Sequence, residues 1–396
     1  MLGITVWGLA LGQALLVTGN ILLVSVTALI GQSLAPTFAM ATLPVALQFL
    51  GLMGVTLPAA LFMAWLGRKK GFLAGNIIGV SGALMAYMGV EQGNFMLFCC
   101  ATFLLGMAIG IGQQYRFAAT ENAPKAKAPQ AISLIMGAGV VAAVLGPNMA
   151  IWFENWSEET RYLGAFAALI VLYAFNTVLV ACLPLNPPTK AELEGTPRPY
   201  MALLRQPSLM SAIVAGSIGY GVMVLVMTAT PLAMQACGFD FGSTATVIQW
   251  HVLGMFLPSF ITGRLIVRYG AYSIIQLGCI LLLGCVLLNQ LGETYWHFFS
   301  ALVLLGVGWN FTFIGATTLL TKTYRPEDKA RVQGLNDLIV FSCAATASIL
   351  AGYWQSIFGW EVLNLLMIPA IFFAMFTLMS SRKRAVIVVE KTPPLA

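Results

Sequence analysis

Charge is what this 396-residue chain has least of: 20 Lys and Arg, 14 Asp and Glu, 9% of all residues, with two histidines beside them. Soluble globular domains carry about 25% charged residues, so a water-facing surface is excluded over most of the length. Catalytic motifs are missing too. There is no HExxH, no glycine loop of the nucleotide-binding kind, no pair of carboxylates inside an apolar stretch and no nucleophile with a base beside it, which argues against an enzyme. The cysteines at 99, 100, 182, 237, 279, 285 and 343 form no CxxC and fall within apolar runs or at their ends. They are read as packing residues rather than as a disulfide framework or a zinc site.

What fills the chain instead is apolar sequence, with 59% hydrophobic residues and a mean hydropathy of +0.87. About 20 apolar residues cross a bilayer as a helix. Runs of that length predict helices over 6–30, 40–66, 71–90, 95–119, 131–151 and 162–184, then over 208–235, 243–267, 272–291, 296–320, 331–355 and 360–380. The fold class is therefore an all-α integral membrane protein of twelve transmembrane helices in two six-helix halves, 1–184 and 208–396. A polar linker, 185–207, joins them and carries Pro187, Pro188, Pro197, Pro199 and Pro207. The first run is too long for a signal peptide and lacks a basic start and a small-residue cleavage site, so it is expected to be retained.

Lys and Arg in short loops stay on the cytoplasmic side. Here they occupy alternate connections: Arg68, Lys69 and Lys70; Lys125 and Lys127; Lys190, Arg198 and Arg205; Arg264 and Arg268; Lys322, Arg325, Lys329 and Arg331; then Arg382, Lys383, Arg384 and Lys391 at the tail. Only Arg161 is left for the outer loops. Both termini are thus expected in the cytoplasm, and the net charge of +6 follows from topology rather than from a nucleic-acid partner.

Two side-chain pairs suggest a soft-metal site. Met223 and Met227 sit four apart in the seventh span, and His251 and Met255 sit four apart in the eighth. Residues at that spacing share a helix face, and at about 1.5 Å per residue the two pairs lie at matching depths of roughly 12 and 18 Å from the outer end. If those faces meet, three thioethers and one imidazole converge, a set suited to Cu(I). Pro231 is expected to kink the seventh helix above the pair and act in gating. Met234 and Cys237 would be the first ligands met by an incoming ion. The competing reading is packing, because nineteen methionines give chance pairs such as Met375 and Met379. Asp337, an acid well inside the eleventh span, is expected to pair with a basic residue near the cytoplasmic gate, and Arg116 to anchor the fourth span at that side.

Two six-helix halves around a linker resemble the major facilitator superfamily. That family's signature between its second and third helices is matched by Ala60, then Gly67-Arg68-Lys69, with Ala64-Trp65 where an Asp-Arg pair is expected. Gly263, Arg268 and Gly270 repeat it after the eighth span, with Val267 in place of the acid. The resemblance implies gating by Arg68 and Lys69, rocking of the halves, and a cavity lined by the first, fourth, seventh and tenth helices. Their polar residues, Gln13, Asn20, Gln113, Gln114 and Asn310 together with Trp309, either line that cavity or hydrogen-bond helix to helix.

The methionine and His-Met pairs, with the run Gln113-Gln114-Tyr115-Arg116-Phe117, are similar to the CcoA-like branch, bacterial copper importers that supply cbb3-type cytochrome oxidase. This implies copper as cargo with Met223, Met227, His251 and Met255 as ligands, the bacterial inner membrane, no resident cofactor, a monomer, and a cytoplasmic copper chaperone as receiver. The branch also holds a riboflavin-type transporter. The alternatives are therefore an importer of an organic solute such as riboflavin, or a drug/proton antiporter, holding a ring with Trp250, Trp309 or Tyr115. Gly146-Pro147 resembles the antiporter signature, but Asn148 and Met149 stand where small residues are expected, which argues against export.

Overall fold

The computed structural model describes every residue except 1, 37–39, 41–42, 155, 158–160, 189–194 and 392–396, so Lys190 lies outside the described residues. Among those described, the regular structure is helical, without a strand. The first six spans are α1 (Ile4–Leu34), α2 (Leu43–Leu66), α3 (Arg68–Glu91), α4 (Phe95–Gly112, continued by Tyr115–Glu121), α5 (Ala128–Gly137 and Gly139–Trp152) and α6 (Leu163–Cys182). The rest are α7 (Pro207–Ala236), α8 (Phe241–Phe256 and Ser259–Tyr269), α9 (Ala271–Gln290), α10 (Tyr295–Leu320), α11 (Lys329–Leu365) and α12 (Met367–Lys391). α8 is interrupted beside Pro258, which has no N–H for the helical ladder.

Eleven stretches of the described residues are long and apolar enough to cross a membrane, and the last covers 57 residues, Pro326–Arg382. At about 1.5 Å per residue that is some 85 Å, nearly three bilayer cores. Gly359, at φ 72° and ψ 176°, breaks it inside α11, so it supplies two spans and the total is the twelve expected.

The chain clusters into two compact units, Met1–Thr196 with Pro326–Leu338, and Pro197–Arg325 with Ile339–Ala396. The apolar pattern divides the chain at the linker alone. The structure differs in giving the start of α11 to the first unit, because Lys329, Gln333 and Asp337 bond to side chains of α3 and α4. Apolar run length carries no record of such polar bonds.

Inside each unit the pairing repeats. In the first, α4 packs on α2 and α3, and α6 on α3 and α1; in the second, α10 packs on α8 and α9, and α12 on α9 and α7. The turn before the third helix of each unit also repeats. Gly67 has φ 90° and ψ 158° and Gly270 has φ 83° and ψ 153°, a region open to glycine and closed to most residues. Glycine also sets how closely helices approach. A Cβ on Gly110 of α4 would stand 2.6 Å from the Leu52 carbonyl of α2, and one on Gly306 of α10 would stand 2.8 Å from the Met255 nitrogen of α8. Close backbone approach at small residues is how helices associate where lipid removes the hydrophobic drive. Accordingly, Gly110→Ala and Gly306→Ala should each cost about 1–3 kcal/mol through overpacking. Gly54→Ala and Gly352→Ala, where the added methyl meets open space, should leave the melting temperature of the detergent-solubilised protein unchanged or raised.

Candidate functional site

Arg68, the first residue of α3, is buried and meets three other elements of the first unit. Its Nη2 and Nε donate to Glu121 of α4 at 2.7 and 3.2 Å, and its Nη1 donates to Gln114 Oε1 at 2.9 Å. It also donates to Met63 of α2 and Gln333 of α11. Gln114 passes the chain on, donating at 2.9 Å to Asp337 Oδ2, while Arg116 forms an ion pair with Asp337 Oδ1. Asn336 donates to that same oxygen, and Arg116 donates to Gln113 at 3.2 Å. Lys329 ends the network, 3.4 Å from Glu121. A cavity of about 220 Å³ borders Arg68, Glu121 and Lys329, and Pro187 and Pro188 of the linker line its other side.

Asp337 is therefore paired as its sequence position suggested, and its partner is Arg116, which is an ion-pair member and more than an anchor. The missing Asp-Arg half of the α2–α3 signature leaves Arg68 with Glu121 as its carboxylate. Glu121 and Gln333 carried no sequence signal beyond lying at helix starts and ends near basic loops. Lys69 is half-exposed and among the described residues takes no part in this network.

In the second unit the expected meeting of α7 with α8 does not form along their length. Both helices pack on α10 instead, and direct contact between them is sparse. The α7 face that carries Met223 and Met227 also carries Gly216, Gly219 and Tyr220, which abut Ala316, Thr312 and Trp309 of α10. The α8 face with His251 and Met255 is seamed to α10: His251 Nδ1 lies 2.8 Å from the Leu302 carbonyl. Asn310 donates at 2.6 Å to the Met255 carbonyl and to Ser259, and accepts from Thr262 at 2.6 Å. Small residues on α8 and α10 make each helix a better partner for the other than α7 is. His251 Nε2 is buried and has no partner among the described residues.

Several expected roles change accordingly. Asn310 has its amide committed to α8 and Gln114 has its own committed to the charge network, so in this structure both stitch helices together. Met234 is fully buried, and Cys237, exposed, holds Glu293 at 3.2 Å. Desolvation together with the Glu293 hydrogen bond and charge pushes the Cys237 thiol up to about 11, so at neutral pH it is protonated and a weak first ligand. Pro231 does not break α7, which is helical across it, but it leaves the Met227 carbonyl without the N–H that would bond it. His297 serves a capping box with Thr294 at the start of α10.

An aromatic cluster occupies the space between α7, α8 and α10. Trp309 and Phe313 stack at 5.1 Å and 12°, Tyr220 meets both edge-on at 5.5 and 5.4 Å, and Phe256 meets Trp309 at 5.9 Å. Phe341 of α11 joins at 5.6 Å from Tyr220. The Trp309 indole N–H is buried without an acceptor among the described residues. Of these, Trp309 stood out in the sequence. Tyr220, three residues before Met223 on the same face, and Phe313, four after Trp309, were readable from helical spacing.

Other proteins are similar to this chain. The family model of the Major Facilitator Superfamily matches residues 9–345 and 240–393. The riboflavin transporter RfnT of Brucella anthropi is 38% identical over 365 residues, 92% of each chain. The uncharacterized MFS-type transporter YdeG of Bacillus subtilis is 29% identical over 88% of this chain and 86% of its own. Among solved structures, a variant of the Escherichia coli fucose:proton symporter FucP superimposes with a TM-score of 0.78 at 15% identity, over 94% of this chain and 98% of that one. A bacterial homologue of the iron transporter ferroportin, in its outward-facing state, gives 0.72 at 15%, over 96% and 99%. With twelve spans, a repeated pairing pattern and a family match along nearly its whole length, the chain belongs to the Major Facilitator Superfamily and is a membrane transporter of that type.

Proposed function

We propose that this chain is a secondary carrier importing a flavin-class solute, a planar ring bearing a hydroxylated chain, with riboflavin as the first compound to test. The observation that carries this reading is the 38% identity to a riboflavin transporter over 92% of both chains. The cluster around Trp309 supports it, because a planar ring laid against the indole gains stacking and meets an N–H that has no acceptor among the described residues. The basic connections favour both termini in the cytoplasm, and the similarity to bacterial transporters favours the inner bacterial membrane.

One specific observation favours copper as a second reading. His251 has Nδ1 fixed by a carbonyl and Nε2 buried and unpartnered, the arrangement in which an imidazole is oriented as a metal ligand, with Met255 one turn away on the same face. Copper import would use Met223 and Met227 from α7, place the chain with the CcoA-like importers and imply a cytoplasmic chaperone.

Uptake of radioactive riboflavin and of radioactive copper, measured in parallel in cells expressing the parent and His251→Gln, separates the two. Riboflavin uptake in both proteins, with copper at background, is the expected result. Copper uptake in the parent, lost in His251→Gln, with riboflavin at background would overturn it in favour of the metal.

A further inference from the structure

Two buried glutamines in the first unit are left with polar atoms that no described residue satisfies. Gln48 of α2 and Gln13 of α1 are both more than nine-tenths buried, and the Oε1 of each has no partner among the described residues. Gln48 does use its other amide atom, donating to Asn20 Oδ1 of α1 at 3.1 Å. Asn20 is half-buried, so the pair reaches from the packed interior toward a more open face. Gln13 and Asn20 are seven apart and share one face of α1, about 10 Å along its axis. Gln48 is also held in place: its carbonyl presses on Gly106 of α4, where a side chain would not fit.

An unmet buried amide oxygen costs about 1–3 kcal/mol, and a membrane interior offers little water to relieve it. Two amides about 10 Å apart on one face of α1, with Gln48 of α2 against one of them and two unmet oxygens among the three, are an uneconomical way to join α1 to α2 when one bond does so. We propose that Gln48, with Gln13 and Asn20, forms a polar binding site within the first unit that takes the hydroxyl groups of the solute's chain. Hydroxyls suit it because they both donate and accept. Exchanging the amide nitrogen and oxygen of Gln48 leaves a polar atom facing the same way, and a hydroxyl answers either. Amide oxygen is a poor match for a soft ion, so this site has no role in copper transport. The proposal deepens the flavin reading and rests on it for the identity of the ring, though not for the hydroxylated chain.

The test uses purified protein in lipid nanodiscs and equilibrium binding of three compounds: riboflavin, lumiflavin, which has the ring without the hydroxylated chain, and ribitol, which resembles the chain without the ring. Gln48→Met and Gln13→Met, which keep side-chain length, should weaken riboflavin about tenfold, the loss of one such hydrogen bond, and leave lumiflavin unchanged. Gln48→Asn should recover part of the loss, and the melting temperature of the empty variants should stay near the parent's. Equal weakening of riboflavin and lumiflavin, or of neither, would overturn the proposal. If the parent binds neither flavin, the flavin reading fails by itself and ribitol decides: binding that Gln48→Met removes sustains the hydroxyl site, and no binding to the parent ends it.

Discussion

Asp337→Asn should stop transport and lower the yield of folded protein, at a cost of about 3–5 kcal/mol, whereas the double change Arg116→Met, Asp337→Leu should recover most of the stability and none of the transport. Both members of the pair are buried, at 1% and 0% side-chain exposure, so neither charge has solvent to turn to when the other is removed. Removing one partner leaves an uncompensated charge; removing both leaves a packed apolar contact that a membrane interior tolerates. Gln114 strengthens the contrast, because its Nε2 donates to Asp337 and its Oε1 accepts from Arg68, so the single change also loosens Arg68. Glu121→Gln should be milder. Its carboxylate is 21% exposed and the Lys329 pair is long, at 3.4 Å, while Arg68 keeps Gln114 and Gln333 as acceptors and can still donate to a glutamine oxygen, so the lost charge is partly compensated. Melting temperature in detergent and uptake into cells, measured on the same four proteins, check the ordering. A double variant as unstable as Asp337→Asn would show that the two residues act through other neighbours rather than through each other.

The number of helices and their approximate ends were legible because lipid imposes one requirement, an unbroken apolar run, and composition reports it directly. Gly67 and Gly270 were legible as a repeated turn for a similar reason, since a positive φ leaves glycine almost alone. Partners were much less legible. Asn310 and Gln114 read as cavity residues because an amide in an apolar helix has two uses, and sequence does not say whether the next helix offers a carbonyl at 2.6 Å. The matching depths of the Met and His-Met pairs were argued from helical rise, which fixes height and says nothing of rotation. Rotation was decided by Gly254 and Gly306, which draw α8 onto α10 and turn His251 toward Leu302. Gln48 escaped notice because the second helix was not among those implied to line a cavity.

Trp309→Phe should raise the riboflavin concentration needed for half-maximal uptake about tenfold, with little change in the amount of protein in the membrane. Phenylalanine keeps a ring against Tyr220, Phe256 and Phe313, so the cluster should hold, at a stability cost of about 1 kcal/mol. What is lost is the larger stacking face and the indole N–H, the one polar group of the cluster that lies buried without an acceptor among the described residues. Stacking of a flat heteroaromatic ring on an aromatic side chain contributes about 1–3 kcal/mol, and a tenfold change corresponds to about 1.4 kcal/mol, so the expected effect lies inside that range. Trp309→Leu should lose the stack altogether and fall near background. Trp250, exposed on α8 and packed on Phe299, supplies the control, because Trp250→Phe changes the same residue type away from the cluster and should leave uptake unaltered. If both Trp309 variants carry riboflavin like the parent while His251→Gln loses copper uptake, the aromatic cluster is packing. The functional face of α8 is then the one that carries the imidazole.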